Sequence, residues 1–320
     1  MKQFATLAMA AAIALLPHGA SALDRSQTIR IVTAFPAGGV TDIAGRIIAD
    51  GLTKELGQTV IVENKPGGDG VIGLMEVVKA RPDGQTLLLG GFGGQLIPPL
   101  IKKNFPVKID EALTFIARPT GFSNVLLVTN DLPVNSVDEL IAYAKEHPGE
   151  LNFGSAASTS SDRLTTEMFM QATGTQLTHV PYKGGAAALN DLSSGVVQVM
   201  FGNLPAAMGL IDGEMLRPLA VTAAERVPQL PDVPTMQEQG IADFDVTSWI
   251  SLFGPAGMEP DDVKLLSDAI VAVVSKPEIR ASLEKVGFTV IGEGAEEFEA
   301  SFNAERDRWQ KVIDAAGIAD

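Results

Sequence analysis

The stretch Thr28–Leu56, TIRIVTAFPAGGVTDIAGRIIADGLTKEL, decides how this chain is read. A short β-branched run breaks at Phe35-Pro36-Ala37-Gly38-Gly39, and an amphipathic helix opens at about Thr41-Asp42. A strand, a glycine turn and a helix N-terminus therefore follow one another. The first backbone N–H groups of a helix have no intrahelical partners and sit at the positive end of its dipole, so such a turn suits a small anion such as a carboxylate. Read without that function, Gly38 and Gly39 simply permit a tight strand-to-helix turn.

Outward from this unit, short β-like runs alternate with helical patterns. TVIVEN precedes a helix near Val71–Ala80, and TLLLGG leads into a loop holding Gly90, Gly91, Gly93 and Gly94. After FIARPTGF the run NVLLVTN opens a second series, in which Ser136 and Glu139 have capping-box spacing ahead of DELIAYAKEH. LNFGSA, a helix from about Ser161 to Thr173, THVPY, a helix near Ala186–Ser193, VVQVMF and LRPLAVT complete that series. The alternation predicts an α/β fold of parallel sheets covered by helices, arranged as two doubly wound lobes. Crossings between lobes fall in Arg118–Asn124 and Asp243–Ser251, so residues 23–122 with 247–320 form the first lobe and 123–246 the second.

Lys2, the apolar run Phe4–Leu16, Pro17 and Ala20-Ser21-Ala22 have the layout of a secretory signal, with cleavage expected after Ala22. An exported chain that begins with an anion cradle points to a scavenging receptor. The sequence contains no cysteine, which removes disulfides, thiol catalysis and thiolate metal sites. A formal charge of -15 argues against nucleic acid and anionic membrane surfaces, whose binding needs clustered Lys and Arg. An anionic ligand must then be held by local dipoles and not by the overall field.

Gly68-Asp69-Gly70-Val71-Ile72-Gly73 matches the dinucleotide fingerprint, but Asn64-Lys65-Pro66 separates it from its strand and the strand TLLLGG lacks the acidic residue that would bind a ribose. No cofactor is expected. Nor does any His or carboxylate pair show metal-ligand spacing on a helix face. An exported serine hydrolase is the alternative function, with a nucleophile in the Ser155–Ser161 loop and His179 as base, although no G-x-S-x-G elbow is present. The same serine loop, GSAASTSSDR, follows a β run and precedes a helix, repeating the logic of Phe35–Asp42, so the two loops could clamp one carboxylate across a cleft. Phe35, Phe92, Phe122 and Trp249 are candidates to line the far end.

FPAGGVTDIAGRIIADGL, GQTVIVENKPGGDGVIG, ARPDGQTLLL, VPYKGGAAALNDLSSG, LRPLAVTAAERVPQLPDVPTMQEQG and LFGPAG together give the chain its family character. In these segments it resembles the Bug family of extracytoplasmic solute receptors, the binding-protein component of tripartite tricarboxylate transporters. The resemblance implies a two-lobed, type II periplasmic binding protein fold without catalysis, an organic acid between the lobes, and membrane permease subunits as partners of a monomer. It implies that the loop Phe35–Asp42, with Phe35, Ala37, Gly38, Gly39 and Thr41, grips one carboxylate, partly through ordered water. Asp42 cannot itself attract an anion, so it holds the turn or caps the helix, or else accepts from an ordered water or a ligand hydroxyl. The opposing contacts it implies are Ser155, Ser158, Thr159 and Ser160, with Tyr182 and Gly184, and Phe92 and Asn203 complete the candidate set. The sequence departs from the family pattern at Gln198, where Asp is usual, in the glycine-rich GFGGQ of Gly91–Gln95, and in a serine loop without the usual glycines. All three departures are expected near the cleft.

Overall fold

Strand β1 (Ile29–Thr33) is almost wholly buried, as its β-branched run requires of a strand covered on both faces. It lies between β2 (Val60–Asn64) and β3 (Thr86–Gly91), parallel to both, with Ile31 opposite Val62 and Leu87. This computed structural model describes residues 23–157 and 160–316. The expected export signal at residues 1–22, and Ser158 and Thr159 of the serine loop, lie outside the described residues.

The parallel expectation holds for these three strands but not for the whole of their sheet. β9 (Thr247–Pro255) joins the sheet antiparallel to β3, and β4 (Leu113–Thr129) and β10 (Thr289–Glu293) extend it, so the sheet is mixed. The cause is the path of the chain. β4 carries it from the first sheet into the second and β9 carries it back, so β9 runs against β4 and against β3. The second sheet is built from β5 (Asn152–Ser155), β6 (Thr178–Pro181), β7 (Val199–Asn203) and β8 (Leu216–Val221), with β5 parallel to β6 and β7. β4 runs antiparallel to β7 and β8. Its 17 residues thus serve both sheets: Leu113–Ser123 pair with β9, and Asn124 onward pair with β7 and β8. The outcome is a two-lobed mixed α/β architecture.

Side-chain alternation along β1 divides the first lobe's core. Ile29 and Ile31 pack with Ile48 and Leu52 of the helix Val40–Leu56 and with Leu266 and Ile270 of the helix Pro260–Ser275. Val32 faces the other cluster, which holds Leu74, Phe298 and Trp309 and continues through Leu126 and Val128 to Phe153 and Phe201 of the second lobe. Ser136 caps the helix Val137–Glu146 by accepting from Glu139 N–H at 3.1 Å, while the Glu139 carboxylate accepts from Asn135 N–H at 2.6 Å, a reciprocal cap close to the one that the spacing predicts. Two helices not foreseen from the sequence, Leu204–Asp212 and Pro277–Lys285, each begin with proline in the first turn.

The last helix, Ala295–Ala316, closes the first lobe. Phe298 is fully buried, its ring 5.1 Å from Phe115, 5.2 Å from Phe253 and 5.6 Å from Trp249. Arg118 reaches from β4 to Glu293 at 2.6 Å and Glu305 at 2.7 Å, and Trp249 Nε1 donates to Glu305 at 2.6 Å, so β4, β9, β10 and this helix share one polar junction. Phe298→Ala should lower the unfolding free energy by about 3–5 kcal/mol. Urea titration followed by tryptophan fluorescence measures this; a loss below about 1 kcal/mol would show that the helix lies outside the cooperative core.

Candidate functional site

A cavity of about 340 Å³ lies where the two lobes meet, within the size range of small-molecule sites. Four residues that precede helices line it. Gly39 starts Val40–Leu56, Ser160 starts Ser161–Thr173, Gly184 starts Gly185–Ser193, and Asn203 starts Leu204–Asp212. None of the four side chains caps its own helix, so the N-cap residues leave the first-turn amides to other partners. Asp and Glu are absent from the described lining, and Lys183 at the exposed rim is its one cation among the described residues.

In the first lobe the loop between β1 and Val40–Leu56 is shaped by Asp42. Its carboxylate accepts from Gly38 N–H at 3.0 Å, from Arg46 Nη2 at 2.8 Å and from Asn64 Nδ2 at 3.0 Å, while Asn64 also donates to the Phe35 carbonyl at 3.1 Å. Burial pushes the Asp42 carboxyl up, but the hydrogen bonds from Arg46, Gly38 and Asn64 outweigh it and hold the group below the usual carboxylate range. Asp42 is thus a strut of the loop. Its oxygens are spent on protein donors, and it does not line the cavity, nor does Gly38. Phe35, Ala37, Gly39 and Thr41 do line it.

In the second lobe Ser160 Oγ donates back to the Ala157 carbonyl at 2.7 Å, and Asp162, wholly buried, accepts from Ala156 N–H at 2.6 Å and Arg163 N–H at 3.0 Å. Desolvation pushes the Asp162 carboxyl up to about 6 against those hydrogen bonds. Asn203 Nδ2 donates to Asn124 Oδ1 at 2.8 Å and to Ser161 Oγ at 3.2 Å, and Asn124 Nδ2 donates to Thr165 Oγ1 at 2.9 Å. The Ser161 hydroxyl, which lines the cavity, accepts that contact and keeps one further acceptor position and its own proton.

Ser160, Gly184, Asn203 and Phe92 line the cavity, whereas Ser155 and Tyr182 do not. Ser155 is fully buried beside His179, with Oγ 2.7 Å from Nε2, and also donates to the Ala157 carbonyl at 3.0 Å. Tyr182 donates its hydroxyl to Asp191 at 2.7 Å; burial, together with that carboxylate, pushes the phenol up to about 12. Trp249 and Phe122 border the cavity, but the Trp249 indole packs on Phe298 and Phe302, and the Phe122 ring meets Phe288 at 6.1 Å. Gln198, expected near the cleft, sits elsewhere: it accepts from Asn152 N–H at 3.0 Å and donates to Gly195 carbonyl at 2.8 Å. The dinucleotide-like glycines lie outside the cavity lining. Sequence reading passed over Asn190 and Ser248, which the fold brings to the lining from the helix Gly185–Ser193 and from β9.

The lobes touch across the mouth. A Cβ added at Gly93 would stand 3.5 Å from Ser161 N, and one at Gly184 would stand 3.1 Å from Pro36 Cγ, so glycine permits both close approaches. No group of His, Cys, Asp and Glu among the described residues could hold a metal ion, and no helix among them is long and apolar enough to cross a membrane.

The chain matches the model of the tripartite tricarboxylate transporter family receptor over residues 44–318. Protein BugT of Bordetella pertussis is 33% identical over 293 residues, covering 91% of this chain and 90% of BugT. Among solved structures, R. palustris Rpa4515 with adipate shares 34% identity at a TM-score of 0.90, covering 92% of this chain and 99% of that one. MatC from Rhodopseudomonas palustris with bound malate shares 28% identity at a TM-score of 0.85, covering 89% and 98%. With a family match across most of its length and relatives aligned nearly end to end, the chain belongs to the tripartite tricarboxylate transporter receptor family, of the Bug type.

Proposed function

We propose that this chain is a periplasmic receptor that closes its two lobes on a small organic carboxylate, a di- or tricarboxylate or an aromatic acid, and delivers it as a monomer to the permease subunits of a tripartite tricarboxylate transporter. The observation that carries this reading is the convergence of Gly39, Ser160, Gly184 and Asn203, the starts of four helices, on one cavity free of acidic side chains among the described residues. Relatives holding adipate and malate support it. Neutral amide and hydroxyl donors suit a receptor that must release its cargo, because a buried Arg–carboxylate pair would hold more tightly and dissociate slowly.

The rival reading is hydrolysis by a serine with His179. Ser155 and His179 are paired, but Ser155 is wholly buried, is absent from the cavity lining and has its single proton directed to a carbonyl or to the imidazole. Burial lowers the His179 pKa to about 4, with the Arg163 charge adding to the effect. We infer a structural pair that pins β5 to β6.

The carboxylate reading is tested by thermal shift and titration calorimetry of the mature protein with a panel of organic acids. A tight ligand at a hundredfold excess over Kd should add about 2.7 kcal/mol of stability, and no shift with any acid would reject the reading. Gly39→Val sharpens the test. Only the Pro36 carbonyl, at 3.4 Å, lies near an added Cβ, so the variant should fold and bind at least tenfold more weakly, about 1.4 kcal/mol. Wild-type affinity in that variant would place the anion away from this loop.

The histidine generates a pH prediction. A depressed folded-state pKa means that the unfolded chain takes up the His179 proton first, so stability present above pH 6.5 is lost as pH falls towards 4. Asp162, whose folded pKa is raised to about 6, works in the opposite direction, gaining stability as pH falls from 6 towards 3.8. The His179→Asn variant should therefore lose less Tm between pH 6.5 and 4 than the wild type while keeping ligand affinity within about tenfold. Parallel pH profiles would show that His179 is not buried neutral, and turnover of an ester or amide panel by the wild type would restore the hydrolase reading.

A further inference from the structure

The ribbon formed by β4 and β9 forms part of the cavity wall, and it carries buried hydroxyls that find no hydrogen-bond partner: Thr120, Ser123, Ser248 and Ser251. A buried hydroxyl left unpaired costs on the order of 1–3 kcal/mol, so each asks for an explanation. Among these residues Ser248 alone lines the cavity. It is 2% exposed and stands directly across the ribbon from Phe122, which lines the cavity too.

Strand alternation sets the face of β9 on which Ser248 lies. Its neighbour Trp249 turns to the opposite side of β9, where the indole donates to Glu305 and packs on Phe298 and Phe302. Ser248 and Phe122 therefore share the other side. The helix starts that suit a carboxylate are borne by loops at Gly39, Ser160, Gly184 and Asn203, whereas Ser248 belongs to the strand ribbon between the lobes.

We infer that Ser248 is a specificity-determining contact: its hydroxyl donates to a second hydrogen-bond acceptor, on the part of the ligand remote from the gripped carboxylate. The ligand is then an acid with two polar ends separated by an apolar stretch that lies along Phe35, Phe122 and Ile250. A simple aliphatic monocarboxylate leaves Ser248 unpaired, and sites built to pair a polar group discriminate strongly against analogues that lack it. This inference rests on the carboxylate reading above and adds to it the chemistry of the far end.

The test compares Ser248→Ala with the wild type, using straight-chain dicarboxylates and the monocarboxylates of equal carbon number as probes in titration calorimetry. Wild type should prefer the dicarboxylate of each pair, and Ser248→Ala should bind that dicarboxylate at least tenfold more weakly while its affinity for the monocarboxylate stays within twofold. A second readout separates recognition from structure. Without ligand the variant should melt at or above the wild-type temperature, since the change removes an unpaired buried hydroxyl. Equal loss for both members of a pair, or no loss for either, overturns the role of Ser248 and leaves the carboxylate reading standing. Failure of the wild type to bind any acid overturns both.

Discussion

The antiparallel pairing of β4 with β9 is the constraint on which the rest of this molecule depends. β4 is buried along nearly all of its length and belongs to both sheets, while β9 pairs with it from Pro255 down to Thr247, where the second lobe begins to take over. Through this ribbon the relative position of the lobes follows from backbone hydrogen bonds. It also brings Arg118, Glu293, Trp249 and Glu305 into one junction on the outer side and Phe122 and Ser248 to the cavity on the inner side.

Given that frame, an acidic protein can attract an anion by purely local means. The net charge of -15 offers no general attraction, yet four helices direct uncapped N-termini into one small volume. The charged groups nearest the site are turned to other work. Asp42 is held by Arg46, Asn64 and the Gly38 amide, so the loop beside it keeps its shape while its negative charge is neutralised. Asp162 does the same for the serine loop through the Ala156 and Arg163 amides. The contact of Pro36 with Gly184, and of Gly93 with the Ser160–Ser161 turn, then brings the two halves of the cradle together.

Much of this was legible in the chain. The TIRIVTAF run, the glycines at 38 and 39 and the helix after them are local features, and hydrophobic period and turn chemistry report them without tertiary knowledge. The Ser136 cap and the helix Ser161–Thr173 were legible for the same reason. Less accessible was the sense of β9, because strand direction is a property of the connection and a β-like run looks alike either way. The helix Leu204–Asp212 carries start signals in Asn203 and Pro205, but its apolar composition gives no clear period to set it apart from the strand run before it.

What the sequence by itself determined was therefore the set of local units: strands, glycine turns, helix starts and the family that these motifs in order identify. The tertiary structure alone decided which of their side chains meet. Ser155 and Ser160 belong to one serine-rich loop, yet one is buried against the half-buried His179 and the other lines the cavity. Ser248 has no local signature at all, and its place in the cavity wall follows from its pairing with Phe122 across the β4–β9 ribbon. The physical reason is that backbone preferences act over a few residues, whereas burial, pairing and the loss of water around a polar group are set by segments far apart in the chain.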